Sequence, residues 1–259
     1  MEPSRPQLNE EAAIYIRNLI MAGELRPGTV VRPEQIAQAT NMSATPAREA
    51  LQSLRVEGFL ELVPRRGFIV ARLTGDDIRD LFTAHALISG EVAARAASRI
   101  TTDQLNELEA LHLEMLAASK RGQLEALEAK NHQFHREISL ASGSRKILWV
   151  LGLTSRYIPR RFYSTIDGWP KATQDDHSAL MDALRERDAE AARAAMIEHI
   201  QHAGELLADH FDVLASRAAL LEQNAEAGDN GITGDSDITS DTDIAVESTD
   251  EPAAPTPVA

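Results

Sequence analysis

The chain has eight histidines and no cysteine, so any soft-donor chemistry rests on imidazole. In the stretch NHQFH, Asn131 and His135 stand four apart and share a helical face with Phe134 and Ile138. His177 shares a face with Leu180, Met181 and Leu184, and His199 lines up with Ala192, Ala195, Met196 and Ala203. Each of these polar groups therefore falls on an apolar face. Buried imidazoles need partners, and one divalent ion serves several at once. Nitrogen donors with an amide oxygen suit zinc, nickel or manganese. Spacing alone leaves two readings open, a metal site built by three helices or three separate core histidines. His132 lies one residue off the face and reads as solvated. His202 reads as a supporting group or substitute ligand, and His112 and His210 as surface or ordinary packing positions. No inward Asp or Glu beside the histidines stands out as a general base, which weighs against a metal-dependent hydrolase. Arg156 offers a cation for a carboxylate, or is simply solvated.

A second set of residues suits nucleic acid. Ser43 and Thr45 place hydroxyls at the start of a short helix, where backbone N–H groups also attract phosphate. Arg48 lies one turn in and can grip a guanine edge with two hydrogen bonds. Arg65 and Arg66 tip a hairpin, and Gly67 lets backbone approach closely.

These residues must be positioned by elements that the sequence also marks. Apolar residues at Ala12, Ala13, Ile16, Leu19 and Ile20 have helical spacing. RPGT then turns the chain, and RPEQIAQAT is a short helix with Pro33 in its first turn. ATPAREALQSLRVEG is a third helix, opened by Ser43 or Thr45 as cap and closed by Gly58, with Ala47, Ala50, Leu51 and Leu54 inward. FLELV and GFIVA alternate as strands joined by PRRG. Three helices and a small hairpin make a winged helix-turn-helix, whose third helix enters the major groove. After LTGDDI, where Thr74 caps with Asp77 three on, the remaining patterns are helical, about six helices with a break at Pro159.

Net charge is −14, and the nine acidic residues from Gln223 onward meet no basic ones, so the body carries only −5. That segment lacks aromatics and is rich in Asp, Ser, Thr, Gly and Pro, the composition of a disordered tail. The absence of cysteine excludes thiolate–zinc sites, disulfides and cysteine nucleophiles. MEPSRPQLNEE lacks the apolar core of a signal peptide, and no long apolar run is present, so a cytoplasmic location without a membrane span is expected.

The stretch MSATPAREALQSLRVEGFLELVPRRGFIV resembles the recognition segment of GntR-type transcription regulators, over about 65 residues. The resemblance implies DNA-contacting places for Thr45, Arg48, Arg66 and Gly67. Ala44 stands where most relatives carry arginine, which implies one fewer cationic contact. The helical half, through FHREISLASGSRKIL, is similar to the FCD ligand-binding domain of that group. By that resemblance Asn131, His135, His177 and His199 are the metal ligands, with Asn131 in place of the commoner aspartate. His85 falls where relatives usually place an arginine that approaches the effector. Ile88 and Ser89 replace the usual Leu–Glu.

The reading is a mostly α protein. Residues 1–73 form a winged helix-turn-helix DNA-binding domain with a small β-hairpin. Residues 74–218 form an all-helical domain for metal and effector, and 219–259 a disordered acidic tail. The expected function is a ligand-responsive transcription regulator, by family habit a repressor and not an enzyme. It would act as a homodimer on a palindromic double-stranded DNA operator. The sensed molecule would be a small carboxylate, with Ser43, Thr45, Arg48, Arg65, Arg66 and Gly67 on DNA. Asn131, His135, His177 and His199 would hold a divalent metal (zinc, or nickel or manganese), with His85 and Arg156 toward the effector. The alternatives are a metal-free regulator with an apolar or acyl ligand, and a metal-dependent hydrolase.

Overall fold

A computed structural model describes residues 8–157 and 169–229, with side chains for 8–157 and 175–217. Helix α1 (Leu8–Met21) is followed by a two-residue strand β1 (Val30–Val31), α2 (Pro33–Ala39) and α3 (Ala44–Val56). Strands β2 (Leu60–Val63) and β3 (Gly67–Val70) complete an antiparallel sheet in the order β1–β3–β2. The sequence marks only the hairpin. β1 is too short to show alternation, yet it pairs Val30 with Ile69 and Val31 with Phe68. The face predicted for α3 is the buried one, since Ala47, Ala50, Leu51 and Leu54 are all fully enclosed. Ser43 occupies the N-cap position of α3, but its side chain makes no capping hydrogen bond. Its hydroxyl is therefore not spent on the helix, contrary to the cap expected there.

Helix α4 (Gly75–Arg99) opens on the expected capping box, with Thr74 accepting from the Asp77 N–H and Asp77 accepting from that of Thr74. Helices α5 (Thr102–Lys120) and α6 (Leu124–Ser142) follow, and α6 ends at Gly143 in the left-handed conformation, φ 62°. Helix α7 (Arg145–Thr154) runs into a single 3-10 turn (Ser155–Tyr157). The break expected at Pro159 lies outside the described residues. Helices α8 (Trp169–Glu186) and α9 (Ala189–Asp229) complete the series. The tail expected from residue 219 gives its first residues to α9, because Ala, Leu, Glu and Gln extend a helix readily. The rest of that tail lies outside the described residues. Among the described residues, no helix is long and apolar enough to cross a membrane.

Candidate metal centre and nucleic-acid interface

Three helices bring the three inward histidines together. His135 comes from α6, His177 from α8 and His199 from α9. The Nε2 atoms of His135 and His199 are 3.1 Å apart, and those of His177 and His135 are 3.4 Å apart. Nitrogens bound to one zinc at about 2.0–2.1 Å in a tetrahedron would stand about 3.3 Å apart. His177 and His199 are buried and His135 is half-buried. Phe134 stacks on His177 at 4.6 Å, and His135 stacks on His199 at 5.0 Å, so packing fixes the rings. Burial, reinforced by the neighbouring imidazoles, pushes His135 and His177 well below the ordinary histidine pKa. Both are neutral at physiological pH, the form a metal requires.

Asn131 sits one turn before His135 on the same cavity wall, and its buried Oδ1 has no hydrogen-bond partner among the described residues. A buried acceptor without a donor, one turn from a cluster of imidazole nitrogens, is compatible with a cation as its partner. The three histidines therefore fit a divalent ion, with Asn131 an unsatisfied acceptor on the same helix face as His135.

Sequence reasoning missed Asp176. Its carboxylate lies 3.3 Å from Nδ1 of His199 and 3.1 Å from Nδ1 of His202. Burial works to raise its pKa, but the hydrogen bonds from the two histidines outweigh that, and the net shift is downward. The carboxylate accepts the Nδ1–H of His199, which turns the Nε2 side of the ring toward the cluster. An inward acid does stand beside the histidines, then, behind a ring rather than open to a substrate. Its adjacency to His177 in DDH does not say which helix its carboxylate reaches, so no local signal marked it. His202 is bound to this carboxylate and is not part of the imidazole cluster. Of the two readings for His112, surface or packing, the second holds. It is buried, with its ring edge-on to His177 at 6.4 Å.

A cavity of about 720 Å³ opens beside the cluster, its wall including Asn131, His135, His199 and His85. His85 is buried, hydrogen-bonded through Nδ1 to Thr154 Oγ1 at 2.7 Å, and burial lowers its pKa to about 4. Arg156 is not in the cavity wall. It stands in the 3-10 turn after α7, not within a helix, and its guanidinium bonds Glu57 Oε1 at 2.6 Å. In place of an effector carboxylate, its partner in the described structure is the internal carboxylate of Glu57. Glu57 caps the C-terminus of α3, is buried, and also binds buried Arg17 at 2.7 Å. Tyr157 stacks on Phe59 at 4.9 Å beside this pair.

At the other end of α3, Ser43, Thr45 and Arg48 are exposed, as are Arg65 and Arg66 at the β2–β3 turn. Arg65 has φ 67° and Gly67 φ 88°, so the turn is tight and thrusts both arginines outward. None of the three arginines makes an ion pair among the described residues. Cations left without internal partners are available to phosphate.

A winged head followed by a helical domain with an imidazole cluster marks a two-domain class of DNA-binding protein. The profile described as "Bacterial regulatory proteins, gntR family" matches residues 8–70, and that of the FCD domain matches residues 80–202. The chain belongs to the GntR regulators, in their FCD branch, and is a DNA-binding transcription regulator rather than an enzyme. It is 26% identical over 208 residues to the HTH-type transcriptional repressor RspR of Escherichia coli K12, spanning 79% of this chain and 90% of that protein. It is 29% identical over 192 residues to the Nta operon transcriptional regulator of Aminobacter aminovorans, spanning 72% and 85%. The solved structure of E. coli McbR/YncC has the same fold, with a TM-score of 0.63 at 21% identity, covering 80% of this chain and 99% of that one. GntR regulators bind DNA operators and typically act as dimers.

Proposed function

We propose that the chain is a metal-assisted, effector-responsive repressor that binds a palindromic operator as a homodimer. The observation that carries the sensing half is the convergence of the Nε2 atoms of His135, His177 and His199, with the orphaned Asn131 Oδ1 one turn before His135. Asn131, His135, His177 and His199 would hold the ion, with Asp176 behind His199. A divalent ion held there would act as a Lewis acid toward an anionic oxygen of a small organic acid. Zinc suits this donor set, as do nickel and manganese. Ser43, Thr45 and Arg48 would meet base edges and phosphate in the major groove, and Arg65, Arg66 and Gly67 would follow the backbone beside it. Repression is supported by the relative named a transcriptional repressor.

The coupling route is short. Thr154 bonds His85, and Ser155 lines the cavity. The next two residues, Arg156 and Tyr157, hold Glu57 and Phe59 at the end of the DNA-reading helix. An effector that favours one position of this turn favours one setting of α3, and by linkage changes operator affinity.

Metal content per chain after dialysis is the test, beside His135→Ala and His177→Ala. About one ion per chain, lost in both variants, is the expected result. A wild type that takes up none from added zinc, nickel or manganese would sink the metal reading and leave the DNA reading standing.

A further inference from the structure

Helix α9 carries His199 on a stripe that runs on past the imidazole cluster. Met196, His199 and Ala203 face the cavity. His210 and Leu214 lie seven and eleven residues beyond Ala203, steps that return to the same side of a helix. Leu207, between them, is fully buried. At His210 and Leu214 the stripe meets the winged head. The backbone carbonyl of Met21, the last residue of α1, accepts a hydrogen bond from the His210 ring. Two residues on, Gly23 has φ 75°, and a Cβ there would stand 2.9 Å from Leu214 Cδ2. Glycine alone allows both that left-handed turn and so close an approach.

The other flank of α9 is held as closely by α4. A Cβ on Gly90 would lie 2.7 Å from Ile197, and one on Gly204 would lie 2.6 Å from Phe82. Arg79 of α4 binds Glu205 at 2.9 Å and Asp212 at 3.3 Å. Between His199 and His210 the helix rises about 17 Å. It is a rod gripped along one side, with the imidazole cluster and the seat of the head on the other. Close packing of this kind passes a displacement along instead of absorbing it.

We propose that His210 and Leu214 are positioning residues for operator binding, which set the head on α9 so that a divalent ion at the histidine cluster is read at the operator without any organic effector. His199, sharing an ion with His135 of α6 and His177 of α8, would be fixed against both helices, and Met21 and Gly23 would take their place from the same rod. This contact is separate from that of Arg156 with Glu57, which reaches the head at α3. The proposal rests on the reading of His135, His177 and His199 as metal ligands.

Operator affinity of the full chain, metal-free and zinc-loaded, tests it with no organic acid present and with zinc per chain measured in each sample. Zinc should shift the affinity of the wild type by about five-fold or more. In Leu214→Ala the shift should shrink to within about two-fold at unchanged zinc content, and Leu214→Met, which refills the seat, should restore it. A smaller wild-type shift at full zinc content overturns the proposal, as does a full shift in Leu214→Ala. A wild type that takes up no zinc overturns the proposal together with the reading beneath it, so the zinc content tells the two failures apart. A second arm needs no variant. The backbone N–H groups of residues 22–25 are hydrogen-bonded within the turn after α1. In the wild type they should exchange with deuterium more slowly when zinc is bound, and equal rates with and without bound zinc overturn the proposal.

Discussion

The head and the helical half solve opposite electrostatic problems. The head's candidate DNA-contacting side chains all lie between Ser43 and Gly67, are charged or polar, and are exposed or nearly so. His177 and His199 lie 42 and 64 residues from His135 in the chain, yet the Nε2 atom of each comes within 3.4 Å of that of His135. There burial removes charge. Phosphate recognition needs hydrated cations that release counterions on binding, whereas metal recognition needs deprotonated donors held out of bulk water. A local motif suffices for the first. The second requires a folded core.

The sharpest way to break this contrast is at the junction, where Glu57 is a buried charge shared by both halves. Glu57→Ala leaves Arg17 buried without its carboxylate, and removal of one partner from a buried pair costs about 3–5 kcal/mol. The denaturation midpoint should fall accordingly. Arg156→Ala, on the exposed side of the same pair, should cost about 1 kcal/mol or less while weakening the response of operator binding to effector. Equal destabilisation by both would mean that the turn is a structural prop and not a coupling element.

Acid tests the neutral interior. His85 has a folded pKa of about 4 against 6.5 when exposed. The unfolded chain therefore binds the proton first as pH falls. The stability gained from a neutral His85 is complete above pH 6.5 and is lost as pH drops toward 4, about 3 kcal/mol in all. Metal-free wild type should lose about that much more stability than metal-free His85→Leu over this window, as measured by urea unfolding. Parallel curves would mean that the ring is hydrated.

The smallest effects make a paired comparison. Asp176→Asn should weaken metal binding about 10–100-fold, as loss of a carboxylate behind a ligand histidine does, and leave operator affinity of the metal-free protein unchanged. Arg48→Ala should do the reverse, costing about 1–3 kcal/mol on the operator if it contacts a base. If it contacts phosphate, the salt dependence should instead flatten by about one unit of slope. A variant that moved both readouts would show that the two halves are less independent than their chemistry suggests.

Most of the head was legible because its signals are local. The buried face of α3 was predicted residue for residue from a period of 3.6, and the hairpin from alternation around PRRG. β1 was not legible, since two residues carry no period and their pairing with β3 reaches across the intervening helices. In the bundle, the inward faces of His135, His177 and His199 could be read, because an apolar stripe marks the core side of each helix. Asp176 could not. One position away from a ligand on a helix says nothing about which neighbouring helix its carboxylate reaches, and only the packing of α9 against α8 gives it two histidines.

The sequence by itself determined the family, the helical and winged architecture, and which side chains face inward. These follow from residue type and short-range periodicity, which every stretch of chain carries within itself. The tertiary structure decided the rest. It sent Arg156 to Glu57 instead of the cavity, placed Asp176 behind His199, and set buried His85 against the Thr154 hydroxyl. Each of those outcomes depends on which distant partner comes within about 3 Å, the range over which a hydrogen bond or ion pair selects one geometry.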